Sequence, residues 1–224
     1  MSMISKFLVA TVSGLTVVAM ASSALAQAAP LAKPAAAPVA PQITHGPAIT
    51  GLCVFSSGAI RGASVTGKAM DARLKALQTS ADAPLTAREK ALQTRIEAYN
   101  AGAKTAAVDI NAREKQKSDL EVEQNALQRD AGHMQLELVA TANLAQQQYG
   151  AELQPAVIAA YQQKQCSMLL ERNGVAIFNP AMDISAQIIA LLDARGKAAT
   201  FQSFERTKLT QQQAAQLAAE LQRN

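Results

Sequence analysis

A helical pattern of apolar positions runs from residue 65 to residue 165, which we call the arm. Apolar side chains recur there at every third or fourth position, along two successive narrow seams. Each seam is too long for a helix of a compact domain, and the positions beside it are polar. The pattern therefore predicts two long helices that fold back on each other as an antiparallel hairpin.

The residues of the two seams are mostly aliphatic. The first seam comprises Met70, Leu74, Leu77, Ala81, Leu85, Leu92, Ile96, Tyr99, Ala103, Ala106 and Ile110, and the second comprises Leu120, Leu127, Met134, Leu138, Ala145, Tyr149, Leu153, Val157 and Tyr161. Polar residues interrupt both seams, at Arg88 in the first and at Glu123 and Asp130 in the second. With such gaps, the arm is predicted to be a bendable hairpin rather than a rigid rod.

Helix-breaking residues divide the arm further. Pro84 lacks a backbone N–H and disfavours helix before it, so we expect a kink or a helix restart there. Thr86 and Glu89 have the spacing of a capping box for the restarted helix. The hairpin turn is expected between Asn100 and Asn111. Further breaks are expected at Gly102, Gly132, Gly150 and Pro155.

Short apolar runs flank the arm and predict the strands of a small body. Residues 51–56 and 166–170 are apolar runs of strand length beside turn residues. A third run, 175–178, follows Asn173-Gly174, the strongest short-range signal for a β-hairpin. Residues 59–64 are expected to form a turn into the arm, with Ser64 or Thr66 as the helix cap.

The C-terminal part is predicted to hold one short helix. Asp183 is expected to cap a helix over about 184–194, and Gly196 stands where helices often end. The tail, residues 197–224, is rich in Gln and Ala, which favours disorder over a marginal helix. Together with the strands and the arm, this predicts an α+β fold with a body of about three strands per chain.

The N-terminus has the features of an export signal. Residues 1–26 carry Lys6, an apolar stretch and an Ala-Leu-Ala sequence before Gln27, as in a cleaved Sec-type signal peptide. The alternative is a membrane anchor, but the apolar stretch is shorter than the about 20 residues that a span requires. Residues 27–48 are rich in Ala and Pro, which predicts a disordered linker. The mature protein is then expected in the periplasm of a double-membrane host.

Charge along the arm argues against nucleic-acid binding. Twelve basic and twelve acidic residues balance over residues 65–165, and the net charge of +4 arises outside the arm. The first half of the arm is the more basic and the second half the more acidic. Nucleic-acid binding needs a concentrated basic footprint, which this distribution lacks. The composition, 49% hydrophobic but only 4% aromatic, predicts one small core with a long extension.

Residue patterns typical of catalysis are missing from the sequence. The two histidines, His45 and His133, lie far apart and cannot form a zinc cluster with two widely separated cysteines. No nucleophile-elbow or phosphate-loop motif occurs. We therefore expect neither enzymatic activity nor a metal or cofactor.

Cys53 and Cys166 stand at the two roots of the arm. In an oxidising compartment an even pair of cysteines favours a disulfide. Closing a loop of about 110 residues would add about 4–5 kcal/mol in the chain-entropy model. The alternative, that both are apolar strand residues with free thiols, is equally compatible with the sequence.

The order of these segments resembles the Skp/OmpH family of periplasmic chaperones. Two short stretches agree with it: residues 62–69 (GASVTGKA) resemble the family's sequence after its first strand, and residues 173–185 resemble its C-terminal hairpin and helix start. The resemblance spans about residues 51–194 and places a domain of this family at 49–196.

The resemblance implies a homotrimer that binds unfolded outer-membrane proteins without ATP. Three chains would join through their strands into a small barrel, with the arms around a central cavity that holds the client and prevents its aggregation before insertion. A set of three strands is too small to bury itself, so oligomerisation is also expected on physical grounds. On this basis the trimer body would include Leu52, Val54, Leu169 and Ile177, and the client-contacting arm residues would be Leu92, Ile96, Tyr99, Met134 and Leu138.

One property of the arm departs from the family pattern. Family members often carry strongly basic arms, which suit acidic clients and anionic lipid, whereas this arm is neutral. We therefore expect apolar client contacts, with lipid contact at most peripheral. The competing hypothesis is an exported structural or adaptor coiled coil that binds one fixed partner. Such a protein would have a well-filled seam and a stiff rod.

Overall fold

The computed structural model describes residues 43–102 and 109–223. In chain order the elements are β1 (Leu52–Phe55), α1 (Ser57–Ala63), α2 (Val65–Gly102), α3 (Ile110–Gln163), β2 (Met168–Glu171), α4 (Ser185–Ala194), α5 (Ala198–Gln202) and α6 (Gln211–Leu221). The predicted signal peptide, the linker up to residue 42 and residues 103–108 of the hairpin turn lie outside the described residues. The α+β fold with a long helical hairpin is confirmed.

The arm consists of α2 and α3, which have 38 and 54 residues. Both are continuous, so the helix restart expected at Pro84 is wrong: Pro84 lies inside α2, as Pro155 lies inside α3. A proline costs one helical hydrogen bond, and the packing of α2 along α3 offsets that local loss. The Asp109 side chain caps α3 by accepting from the N–H groups of residues 111 and 112.

Cross-arm ion pairs define the antiparallel direction of the two long helices. Arg88 Nη1 lies 2.6 Å from Asp130 Oδ2, and Arg95 pairs with Glu123 about two turns nearer the hairpin turn. Partners thus move forward along α2 as they move backward along α3. The buried part of the seam includes Leu77, Ala81, Leu92 and Leu120.

The two strands of the body are parallel, and β1 and β2 pair in the register Leu52 to Met168 and Phe55 to Glu171. The third strand predicted at 175–178 is wrong for this chain, because residues 172–174 form a 3₁₀ turn and residues 175–178 pair with no strand in the described part of the chain. A two-residue hairpin turn needs positive φ at Asn173 and Gly174. Neither has positive φ, so the chain leaves β2 without doubling back.

Helix α1 replaces the turn expected at residues 59–64. Its cap is Ser56, whose side chain accepts from the N–H of Ala59 at 3.2 Å. Ser64 then caps α2, because its hydroxyl accepts from the N–H of Gly67 at 3.0 Å, as the sequence predicted. At the C-terminal side, the N-cap of α4 is Ile184 rather than the predicted Asp183. Asp183 lies one residue earlier, and its side chain accepts from the N–H of Ser185 at 2.8 Å.

The main core lies at the root of the arm. Its members come from β1, α1, both arm helices and the two helices α4 and α5; the largest include Ile60, Met70, Tyr149, Ile188, Leu192 and Phe201. The preference for a disordered tail is therefore wrong, because α5 buries Phe201 in this core. The low apolar content of the tail favoured disorder, but one buried aromatic ring and two short helices hold the tail against the arm.

Candidate functional site

The small sheet leaves apolar surface uncovered. Within the described residues, the outer edge of β2 pairs with no strand, while the other edge of β1 holds only a single bridge from Val54 to Asp183. Ile49, Met168 and Ile177, at or near this sheet, expose more than half of their side chains. Parallel strands are normally buried on both faces, and two strands alone are marginally stable. This surface is therefore suited to contact with another polypeptide.

The structure divides the four residues predicted for the trimer body. Ile177 is 64% exposed and lies outside any strand. Leu52 and Leu169 are partly buried in the sheet. Val54 is 0% exposed within its own chain, so it supports the internal core and presents nothing to a neighbour.

The five residues predicted to contact a client also differ in position. Leu92 is 5% exposed between the arm helices, where it holds the hairpin together. Ile96 and Tyr99, towards the hairpin turn, and Met134 and Leu138, midway along α3, are each partly buried and thus partly accessible. Tyr99 is covered on one face by Arg113, whose guanidinium lies 4.4 Å from the ring centre.

The polar interruptions of the two seams form matched pairs. Arg88 and Asp130 face each other across the hairpin, as do Arg95 and Glu123. Because these groups are substantially exposed, each pair adds little stability, and the pairs are consistent with the register that the buried seam residues set between α2 and α3. At these positions, each charge in the arm is therefore neutralised by an opposite charge on the facing helix.

The midpoint of the arm holds a buried polar cluster that the sequence pattern did not reveal. Glu137 is 5% exposed and Thr141 is 0% exposed, although both lie on the long amphipathic helix α3. Arg206 and Lys208 of the tail approach the Glu137 carboxylate at 3.2 and 3.6 Å, and His133 lies 3.5 Å from it. The only signal in the sequence was a carboxylate beside the second seam.

At the root of the arm, the sulfur atoms of Cys53 and Cys166 form a disulfide. The neighbouring backbone supports this junction, since the N–H groups of Ser167 and Met168 both donate to the carbonyl oxygen of Gly51, at 2.6 and 3.0 Å. The start and the end of the arm are thus held together both covalently and by main-chain hydrogen bonds.

Tyr149 is the one described group with a clear pKa shift. Burial in the core raises the pKa of its hydroxyl above the ordinary value, while the side chain of Ser64 and the charge of Arg61 oppose that rise. Its ring meets Phe201 of the tail edge-on, with 6.3 Å between centres. Tyr149 thus joins α3 to the tail in the core rather than serving as an acid or base.

The described residues, 43–102 and 109–223, contain neither a metal-ion cluster nor a helix able to span a membrane. No group of three or more His, Cys, Asp or Glu side chains is arranged there to hold a metal ion. None of the helices in that part of the chain combines the length and the apolar character needed to cross a membrane.

A long antiparallel helical hairpin, closed at its root by a small sheet, defines an arm-bearing class of α+β protein. The family model described as outer membrane protein (OmpH-like) matches residues 52–192, and the chain belongs to this family. The chain is also similar to a crystal structure of a candidate outer membrane chaperone (OmpH-like) from Caulobacter crescentus CB15. The two share 39% identity over 77% of this chain and 99% of that chain, with a TM-score of 0.65. No curated protein matches the sequence.

Proposed function

We propose that this protein is an ATP-independent holdase chaperone that binds unfolded outer-membrane proteins and prevents their aggregation before insertion. The observation that carries the proposal is the arm: helices of 38 and 54 residues extend from a body with only two strands of four residues. Such an arm offers a long surface along which an extended polypeptide can bind. The similarity to a candidate outer membrane chaperone supports this function.

The working form of the chaperone is a homotrimer in the periplasm, reached after the signal peptide is removed. The unpaired edge of β2 and the exposed side chains of Met168 and Ile177 support association through the body. Pairing of these edges between copies would satisfy backbone groups that are otherwise open to water and would cover the apolar side chains. The arms would then surround the client.

Suppression of aggregation tests the function directly. An outer-membrane porin unfolded in urea is diluted into buffer with and without the protein, and turbidity is followed. Equimolar trimer is expected to keep the porin soluble without ATP. A scattering signal equal to that of porin alone would exclude a holdase and would leave the fixed-partner coiled coil as the better hypothesis.

Light scattering tests the assembly separately. The mass is expected to be three times that of the processed chain over a wide range of concentration. A chain that stays monomeric at every concentration would contradict the trimer, because the sheet edge would then remain unpaired in solution.

A further inference from the structure

Residues 204–210, which join α5 to α6, have no helical or strand structure of their own, and we call them the docked segment. Its main chain is held by side chains of the arm. The N–H of Thr207 donates to Thr141 Oγ1 at 2.9 Å, and the N–H of Leu209 donates to Glu137 Oε1 at 3.2 Å. The Thr141 hydroxyl in turn donates to the carbonyl oxygen of Glu137 at 2.6 Å, which orients its lone pairs outward.

The spacing of these two acceptors suits an extended chain. Glu137 and Thr141 are one turn apart on α3, which separates them by about 6 Å along the helix axis. In an extended chain the N–H groups of residues i and i+2 point to the same side and are about 6.6 Å apart. Thr207 and Leu209 have this i, i+2 spacing, both of their N–H groups donate to α3, and the segment runs antiparallel to that helix.

Charge at the site favours a basic segment. The buried Glu137 carboxylate needs compensating partners, since an unpaired buried charge is costly. Arg206 and Lys208, on either side of Thr207, approach its Oε2 atom at 3.2 and 3.6 Å. Arg206 Nη1 also lies 2.6 Å from the sulfur of Met134, so a flexible apolar side chain borders the site.

We propose that Glu137 and Thr141 form a binding site for extended segments of unfolded polypeptide, and that the docked segment occupies it until a client displaces it. Main-chain N–H groups are common to all residues except proline, so the site would recognise an extended backbone rather than a particular sequence. Basic residues next to the bound N–H groups strengthen the contact. This inference rests on the holdase function proposed above.

Two pairs of substitutions in the full-length protein give opposite outcomes. R206A with K208A weakens the binding of the docked segment to α3 but leaves the arm intact. Because the docked segment then competes less with the client, a labelled, urea-diluted porin is expected to bind roughly threefold to tenfold more tightly. E137A with T141A removes the acceptors themselves, so the same porin is expected to bind more weakly by a similar factor. Both pairs of substitutions release the docked segment from α3. A purely structural tail would therefore give changes in the same direction, or none.

A matched control removes the effect of charge. Lys197 and Arg223 are exposed basic residues of the tail that lie outside the docked segment. K197A with R223A changes the net charge as R206A with K208A does, and it is expected to leave porin affinity unchanged. An equal gain in affinity for both pairs would overturn the proposal, because the gain would then come from charge alone.

Hydrogen exchange in the unmodified protein supplies a measurement that does not depend on folding of the variants. The amides of Thr207 and Leu209 are expected to exchange slowly in the free protein and at least several times faster with saturating porin. Unchanged rates in a protein that suppresses aggregation would overturn this inference and leave the holdase function standing. Failure to suppress aggregation would instead remove the function on which the inference rests.

Discussion

Cys53 and Cys166 are bonded through their sulfur atoms, and their Cα atoms lie 5.8 Å apart at the root of the arm. Cys53 belongs to β1, while Cys166 stands between the end of α3 and the start of β2. The bond therefore closes a chain segment, with a sequence separation of 113, that contains the whole arm. It holds the two ends of the hairpin together independently of the hydrogen bonds of a very small sheet.

Removal of this disulfide is expected to destabilise the protein strongly. Replacing both cysteines with alanine should lower the free energy of unfolding by about 4–5 kcal/mol, since the unfolded chain regains the entropy of a long open loop. Urea unfolding at one fixed protomer concentration measures the change, because oligomerisation makes stability depend on concentration.

Mass analysis checks the same bond in the unmodified protein. Alkylation of the unreduced, exported protein is expected to add no label, whereas reduction first should add two. Two labels without reduction would show free thiols and would contradict the bond. The double alanine variant should then unfold at nearly the same urea concentration as the unmodified protein.

Gly67, near the start of α2, packs directly against the end of α1. A Cβ atom at this position would overlap the carbonyl oxygen of Arg61 and lie 2.7 Å from its carbonyl carbon, so backbone would have to move. Gly67→Ala is therefore expected to lower the free energy of unfolding by about 1–3 kcal/mol. Thermal or urea unfolding measures the loss.

Gly150 provides the matched control for that substitution. It is exposed on α3, and a Cβ atom added there would meet no other group within 4 Å. Gly150→Ala is expected to raise the free energy of unfolding by roughly 0.5–1 kcal/mol, because alanine has the higher helix propensity. Equal effects at the two positions would show that α1 does not pack closely on α2.

The arm could be predicted from the sequence because its helices are specified by local periodicity. The hairpin between β2 and residues 175–178 could not, even though Asn173-Gly174 favours it. A turn of that type requires positive φ, and residues 172–174 instead form a 3₁₀ turn. Further along the chain, Asp183 forms a single bridge to Val54 of β1. Local turn preference was outweighed by contacts that form only once the chain has folded.

The docking of the tail was equally hidden from sequence reasoning. Glu137 lies beside the second seam like other solvated carboxylates, and nothing near it in sequence indicates burial. Its partners Arg206 and Lys208 are about 70 residues further along the chain, in a stretch whose composition favours disorder. Single ion pairs and hydrogen bonds between distant residues leave no periodic signal, so only the folded structure reveals this site.

The turn that follows α3 contains a strained residue. Gln165 has a positive φ of 53°, its N–H donates to the carbonyl oxygen of Gln162, and the N–H of Cys166 donates to that of Tyr161. These are the two bonds of a Schellman motif, in which glycine is the preferred residue at the position of Gln165. Gln165→Gly is expected to raise the free energy of unfolding by roughly 0.5–1 kcal/mol, since glycine adopts this conformation without strain.

A glycine three residues earlier separates this effect from a general effect of glycine. Gln162 is exposed and within the helix, so Gln162→Gly is expected to lower the free energy of unfolding by about 1 kcal/mol. Urea unfolding of both variants should thus give changes of opposite sign. Destabilisation by Gln165→Gly as well would argue against the left-handed conformation at the end of α3.

Tyr149 is expected to make the fold sensitive to alkaline pH. Burial raises the pKa of its hydroxyl above 10.0, and the hydroxyl makes no well-aligned hydrogen bond among the described residues. Below pH 10 the hydroxyl keeps its proton in both the folded and the unfolded chain, so it causes no loss of stability. Above pH 10 the unfolded chain ionises first, so the free energy of unfolding falls as the pH rises towards the pKa of the folded protein. Tyr149→Phe should change the free energy of unfolding by no more than about 1 kcal/mol at pH 7. Between pH 9 and 11 this variant should lose less of its free energy of unfolding than the unmodified protein does. Parallel pH profiles of the two proteins in urea unfolding would show that this hydroxyl is not the group responsible.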